Sequence, residues 1–202
     1  MLEWLAAEFE RARERVRPSH DEWMERKGIG PAALAIAGGY GVARAILSPD
    51  GSWEPAEEGG DPVIVLPAWT PDGEGPRVLY DLVAFQPAGP DYPCWRRRLD
   101  AIWLGEDELA LAAYWHFPIT LRSSAMSWLR AGASGSVILD WDRAIGRLFE
   151  SPEVVGETEG LALRLRQELT RSLLERMPRI ALLPAPPRPA IEDEDAALVF
   201  AA

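Results

Sequence analysis

Cys94 is the only thiol in the chain, and His20 and His116 are the only imidazoles. A lone cysteine excludes an intrachain disulfide and any zinc site built from several thiolates of one chain, and it suits a reducing cytoplasm. Two histidines leave few routes to a histidine-centred triad: His20 lies in an expected helix cap, His116 follows Trp115 near a strand entrance, and no Gly-x-Ser-x-Gly elbow is present. The sequence lacks a charged-then-apolar leader and any run of about twenty apolar residues, so neither export nor a membrane span is expected and the cytosol is the expected location. Positive charge is also scarce. The 21 Lys and Arg face 32 Asp and Glu, for a formal charge of −11. Such a field repels phosphates at long range and favours basic protein surfaces as partners.

What is present is enough for a large core. The chain has 202 residues and nine tryptophans, and no linker rich in Pro, Gly or Ser interrupts it before residue 178. Residues 1–177 are therefore expected to form one globular domain, and 178–202 a Pro-rich, acidic, flexible tail. Leu2, Leu5, Phe9, Ala12 and Val16 alternate at spacings of three and four, predicting an amphipathic first helix stopped by Pro18. Ser19 through Glu22 reads as a capping box for a second helix that exits at Gly28, with Trp23 and Met24 inward. Gly30-Pro31 opens a third, which Gly38-Gly39 ends.

From residue 40 the pattern changes to strands. Tyr40 to Leu47, Pro62 to Trp69 and Val78 to Phe85 are apolar runs separated by turn residues, which predicts an antiparallel meander. Glu106, Asp107 and Glu108 suit the positive end of a fourth helix carrying Leu109 and the alanines after it. Ile119 to Leu121 and Val137 to Leu139 read as strands, with a helix between them capped by Ser123 or Ser124 and closed by Gly132. Ala144, Ile145, Leu148 and Phe149 predict a helix over 142–150. Leu161, Leu165, Leu169, Leu173 and Met177 predict a longer one, packed mostly on the sheet. The expected class is α+β, a largely antiparallel meander sheet flanked by N-terminal and C-terminal helices.

Three groups of residues could carry chemistry or binding. Asp140 and Asp142 flank Trp141 at the end of an apolar strand, a spacing that lets both carboxylates reach a magnesium ion beside substrate phosphates. The pair loosely resembles the acidic pair of the Toprim nucleotidyl-transfer domain, whose pattern adds an acidic residue on an earlier strand; no such glutamate is evident here. The competing explanation is a helix cap, since either aspartate can accept N–H bonds where the next helix begins. Tyr92, Trp95, Arg96, Arg97 and Arg98 combine stacking surfaces with cations, a mixture suited to single-stranded nucleic acid or to an acidic peptide; the alternative is a loop whose tryptophan packs down while the arginines pair with acids. Gly38-Gly39-Tyr40-Gly41 lacks the lysine and the strand-loop-helix order of a phosphate loop and reads as a turn. Nothing in the sequence marks Cys94 as reactive.

The third group is the tail. Glu192, Asp193, Glu194 and Asp195 can steer an encounter, and Leu198, Val199 and Phe200 can then enter an apolar groove. This peptide looks like the acidic, phenylalanine-bearing terminus of bacterial single-stranded DNA-binding proteins, except that Ala201-Ala202 follow Phe200. Those last alanines are similar to bacterial degradation tags. The segments Asp81 to Pro87, Trp128 to Gly132 and Val137 to Trp141 resemble uncharacterised small proteins of bacterial prophages, which implies a setting and no activity. The expected function is a noncatalytic, acidic, protein-binding accessory or inhibitor of nucleic-acid machinery, without a cofactor. The alternatives are a Mg-dependent phosphotransfer or nuclease domain using Asp140 and Asp142, and single-stranded nucleic-acid binding through Tyr92 to Arg98.

Overall fold

The computed structural model of the chain describes residues 3–70, 77–88 and 93–176, and the fold is α+β. Three helices come first: α1 (Glu3–Glu14), α2 (Pro18–Arg26) and α3 (Pro31–Ile36). An antiparallel sheet follows, built from β1 (Gly41–Leu47), β2 (Trp53–Pro55), β3 (Asp61–Trp69), β4 (Leu79–Phe85) and β5 (Cys94–Arg96) in the order β2-β1-β3-β4-β5. Residues 63–68 of β3 are buried without a break, because this sheet is covered on both faces. Val63 and Val65, with Leu82 and Ala84, pack beneath Leu5, Phe9 and Ala12 of α1. Ile64, Leu66, Val83 and Phe85 point the other way, into a core shared with the second half of the chain.

That second half is a smaller mixed sheet. Its strands are β6 (Trp103–Leu104), β7 (Ile119–Arg122), β8 (Ser136–Ile138) and β9 (Val154–Gly156), in the order β6-β8-β7-β9. β7 runs parallel to both β8 and β9, and only β6 is antiparallel. Parallel neighbours need crossovers, which helices supply: α5 (Ala125–Arg130) joins β7 to β8, α6 (Trp141–Leu148) joins β8 to β9, and α7 (Glu159–Arg176) follows β9. Met126, Trp128 and Leu129 of α5 lie in the core shared with the first sheet. On the opposite face, Ala144, Ile145 and Leu148 of α6 and Leu165 of α7 pack with Leu109 and Ala112 of α4 (Glu106–Trp115) over Trp103, Ile119 and Leu121. Among the described residues no helix is long and apolar enough to cross a membrane.

Several expectations are corrected. α1 ends at Glu14, and Pro18 begins α2 instead of stopping α1, since a fixed φ and a missing N–H suit a first helical turn. The residue before that proline, Arg17, is the N-cap in place of Ser19, and its N–H donates to His20 Nδ1 at 3.0 Å. Residues 94–96, read as loop, form an edge strand paired with Val83 to Phe85. The apolar stripe of α7 faces α6 and β9 more than a sheet surface: Leu165 is buried, Leu161 and Leu169 are partly covered, and Leu173 is exposed. The mixed second sheet was not anticipated. Leu2, the turn over 71–75, Tyr92, Met177 and the tail over 178–202 lie outside the described residues.

Candidate functional site

Asp140 of the acidic pair and Arg96 of the arginine run, expected to belong to separate features, meet at the seam between the sheets. Arg96 leaves β5 and donates from Nη1 to Asp140 Oδ2 at 3.0 Å and to the Ala101 carbonyl at 2.9 Å. Asp140 also caps α6, accepting the Arg143 N–H on Oδ1 at 3.1 Å. Burial works to raise the Asp140 pKa, but the Arg143 N–H and the Arg96 guanidinium outweigh it and hold the carboxyl below its usual range. Asp142 turns outward, its nearest cation being Arg171 at 3.4 Å. Among the described residues no three His, Cys, Asp or Glu side chains gather as a metal site; the cations beside Asp140 are guanidinium groups.

Asp140→Asn keeps the capping oxygen and removes the charge opposite Arg96, so it should cost about 1–2 kcal/mol at neutral pH. A carboxyl whose pKa is depressed by folding stabilises fully above its unfolded value, near ~4, and loses that contribution as pH falls through the folded value. Urea unfolding of both proteins from pH 7 to pH 2 should therefore show the gap closing on the acid side. A gap that stays constant would refute the assignment.

The other arginines are committed as well. Arg97 donates to the largely buried Glu8 of α1 at 2.9 Å, with its guanidinium over the rings of Trp4 and Trp53. Arg98 pairs with Asp100 at 2.7 Å. Trp95 packs partly into the core under α1. The three cations thus engage three different carboxylates and do not present one shared surface. Their loop is held by Asp81, which is fully buried and accepts four backbone N–H bonds. Nothing in the sequence around Asp81 signalled this role, because three of the four donors lie 17 to 20 residues away.

Beyond the seam, the carboxyl ends of β7 and β8 open onto a crevice of about 500 Å³. Arg122, Ser123 and Ser124 border it from the exit of β7, Leu139 and Trp141 from the exit of β8, and Thr158, Leu161 and Arg164 from the start of α7. The Arg164 guanidinium lies 3.9 Å over the Trp141 ring. Glu157 fastens the β7 loop, accepting from the Ser123 N–H at 2.9 Å and its hydroxyl at 2.8 Å, with Arg122 at 3.7 Å. Burial would raise the Glu157 pKa, yet the serine bonds and Arg122 together hold it down. Cys94 borders the same crevice, and burial pushes its thiol up to about 12, against a smaller opposing effect from the Ala125 backbone. It is therefore protonated and poorly nucleophilic at neutral pH.

A second feature lies on α4. Leu109 and Ala112 face the core, while Leu111, Tyr114 and Trp115 are exposed and Phe117 follows them into solvent. The αL conformation of His116, at φ 56°, ends the helix between Trp115 and Phe117, and His116 itself is exposed. Gly38 and Gly39, both at positive φ, form the turn into β1. Comparison of the chain with family models, with curated proteins and with solved structures finds no match.

Proposed function

We propose that this protein is a noncatalytic accessory or inhibitor that acts by binding another protein, with the outer face of α4 as its docking surface. The observation that carries the reading is the exposure of four large apolar side chains within seven residues: Leu111 at 56%, Tyr114 at 75%, Trp115 at 59% and Phe117 at 61%. Leu111, Tyr114 and Trp115 are spaced i, i+3, i+4 and share one side of the helix. The opposite side is already filled by Leu109 and Ala112, so α4 is apolar around most of its circumference, the pattern of a helix covered from both sides. Tyrosine and tryptophan are also the residues that most often dominate protein contacts.

The charge around this face supports a basic partner. Glu150 is exposed and borders Ala110 of α4 in a hollow shared with Arg147, whose cation is already paired with Glu106. In a chain of charge −11, long-range attraction favours a partner whose groove has a basic rim. The likeness of the central segments to prophage proteins supports a phage or mobile element as the setting. The peptide from Glu192 to Phe200 is a second contact for the same partner in this proposal.

The test uses the full chain, a 1–183 truncation and a Tyr114→Ser/Trp115→Ser variant against lysate of the host, followed by affinity measurement on the purified partner. Losing the two aromatics should weaken binding by about thirtyfold or more, and raising the salt should weaken it further. Equal affinity for wild type and variant would overturn the reading. So would sedimentation showing a wild-type dimer that the variant abolishes, because the face would then belong to a second copy of this chain.

A further inference from the structure

We infer that the crevice at the carboxyl ends of β7 and β8 is a binding site for a small molecule that joins an oxyanion, phosphate or carboxylate, to a flat apolar group. The chain path makes the opening. β7 and β8 are parallel neighbours, yet α5 leaves toward the first sheet and α6 toward the opposite face. Where adjacent parallel strands send their chains to opposite faces, the loops diverge and leave a cleft at the carboxyl edge, the place where open α/β sheets take ligands. The volume of about 500 Å³ falls within the ~300–1,000 Å³ of small-molecule sites.

The charge of the walls selects the ligand. In a chain of formal charge −11, among the described residues the only ionisable side chains bordering this crevice apart from the protonated Cys94 are Arg122 and Arg164. Arg122 is partly spent: its Nε–H donates to the Ser134 carbonyl at 2.9 Å, and Glu157 stands 3.7 Å from its Nη1. Arg164 has no carboxylate partner among the described residues and is steadied by the ring of Trp141 instead, which leaves its planar fork of donors available to an oxyanion. The Ser123 hydroxyl is already donated to Glu157, whereas those of Ser124 and Thr158 accept from the Ser127 and Leu161 N–H groups and keep their own O–H to donate to an oxyanion beside the guanidinium groups. Trp141, Ile138, Leu139 and Leu161 supply the apolar wall.

Another sizeable hollow, of about 730 Å³ between α1 and α3, lacks this imbalance. Its Arg13 is bonded to Glu10 at 2.9 Å and Glu14 lies beside them. The inference is independent of the docking face on α4.

Calorimetry and tryptophan fluorescence on the full chain test it, with adenosine monophosphate, benzoate and inorganic phosphate as probes. One of the two probes carrying a ring should bind with submillimolar affinity, and more tightly than inorganic phosphate. Arg164→Gln should weaken that binding about tenfold or more without changing the urea midpoint, because Arg164 is exposed. Arg171→Gln, an exposed cation on the same helix already bonded to Glu168, should bind as wild type does, and so should Trp115→Ser. No response to any probe at millimolar concentration would overturn the inference, as would an Arg164→Gln affinity equal to wild type or an equal loss in Arg171→Gln.

Discussion

Replacing Asp81 with alanine is expected to cost roughly 4–6 kcal/mol, a large share of the ~5–15 kcal/mol that holds a domain of this size. The carboxylate is fully buried. Its Oδ1 accepts from the N–H groups of Leu82 and Arg98 at 2.8 and 2.9 Å, and its Oδ2 from those of Asp100 and Ala101 at 2.9 Å each. Alanine would strand four donors at once, each worth about 1–3 kcal/mol when left unpaired out of water, with some relief as the loop opens. The same loop holds Leu99 at φ 61°, a conformation that costs a side chain about 1–2 kcal/mol and persists only while its surroundings enforce it. Asp81→Asn keeps one oxygen but turns an NH2 group toward two of the donors, so it should cost about half as much. Urea unfolding of the two variants measures this ordering. An alanine variant within about 1 kcal/mol of wild type would show that the loop does not depend on Asp81.

The same seam shows what the sequence could and could not reveal. Strands β3 and β4 were legible because their runs are long, and α6 because Asp140 stands where a capping residue should stand before an apolar helix face. Strands of two or three residues, such as β5, β6 and β9, carry no period to detect, so the edge of the first sheet and the mixed second sheet that β6 and β9 complete were invisible, and the crevice with them. The crevice draws its walls from residues 93 to 164, brought together only by crossover topology. Arg96, Arg97 and Arg98 looked like one basic patch because they are adjacent in sequence. The carboxylates of Arg96 and Arg97 lie 44 and 89 residues away, separations no local pattern records, and only Asp100, two residues from Arg98, is local. The outer face of α4 was hidden for a different reason: 109 and 112 satisfy one helical stripe and 111, 114 and 115 another, so periodicity alone does not say which faces the core.

Gly105→Ala is expected to cost about 3 kcal/mol, against about 1 kcal/mol for Gly28→Ala, although both glycines have φ near 80°. At Gly28 an added Cβ meets nothing within 4 Å, so only the left-handed backbone is penalised. At Gly105 the Cβ would stand 2.6 Å from the Gly135 carbonyl oxygen and 2.8 Å from Trp128 Nε1. Those two atoms are already joined, since the indole N–H donates to that carbonyl at 2.9 Å, and Gly105's own carbonyl accepts the Ser136 hydroxyl at 2.7 Å. The obstacle includes backbone that cannot swing aside. Relief would have to come from displacing Trp128, a buried member of the core between the two sheets, and the damage should reach beyond the substituted turn. Urea unfolding gives the two costs, and near-ultraviolet circular dichroism, sensitive to the Trp128 environment, should change for Gly105→Ala and stay the same for Gly28→Ala. Equal costs with unchanged spectra would mean that the close approach of Gly105 to Gly135 does not fix the position of Trp128.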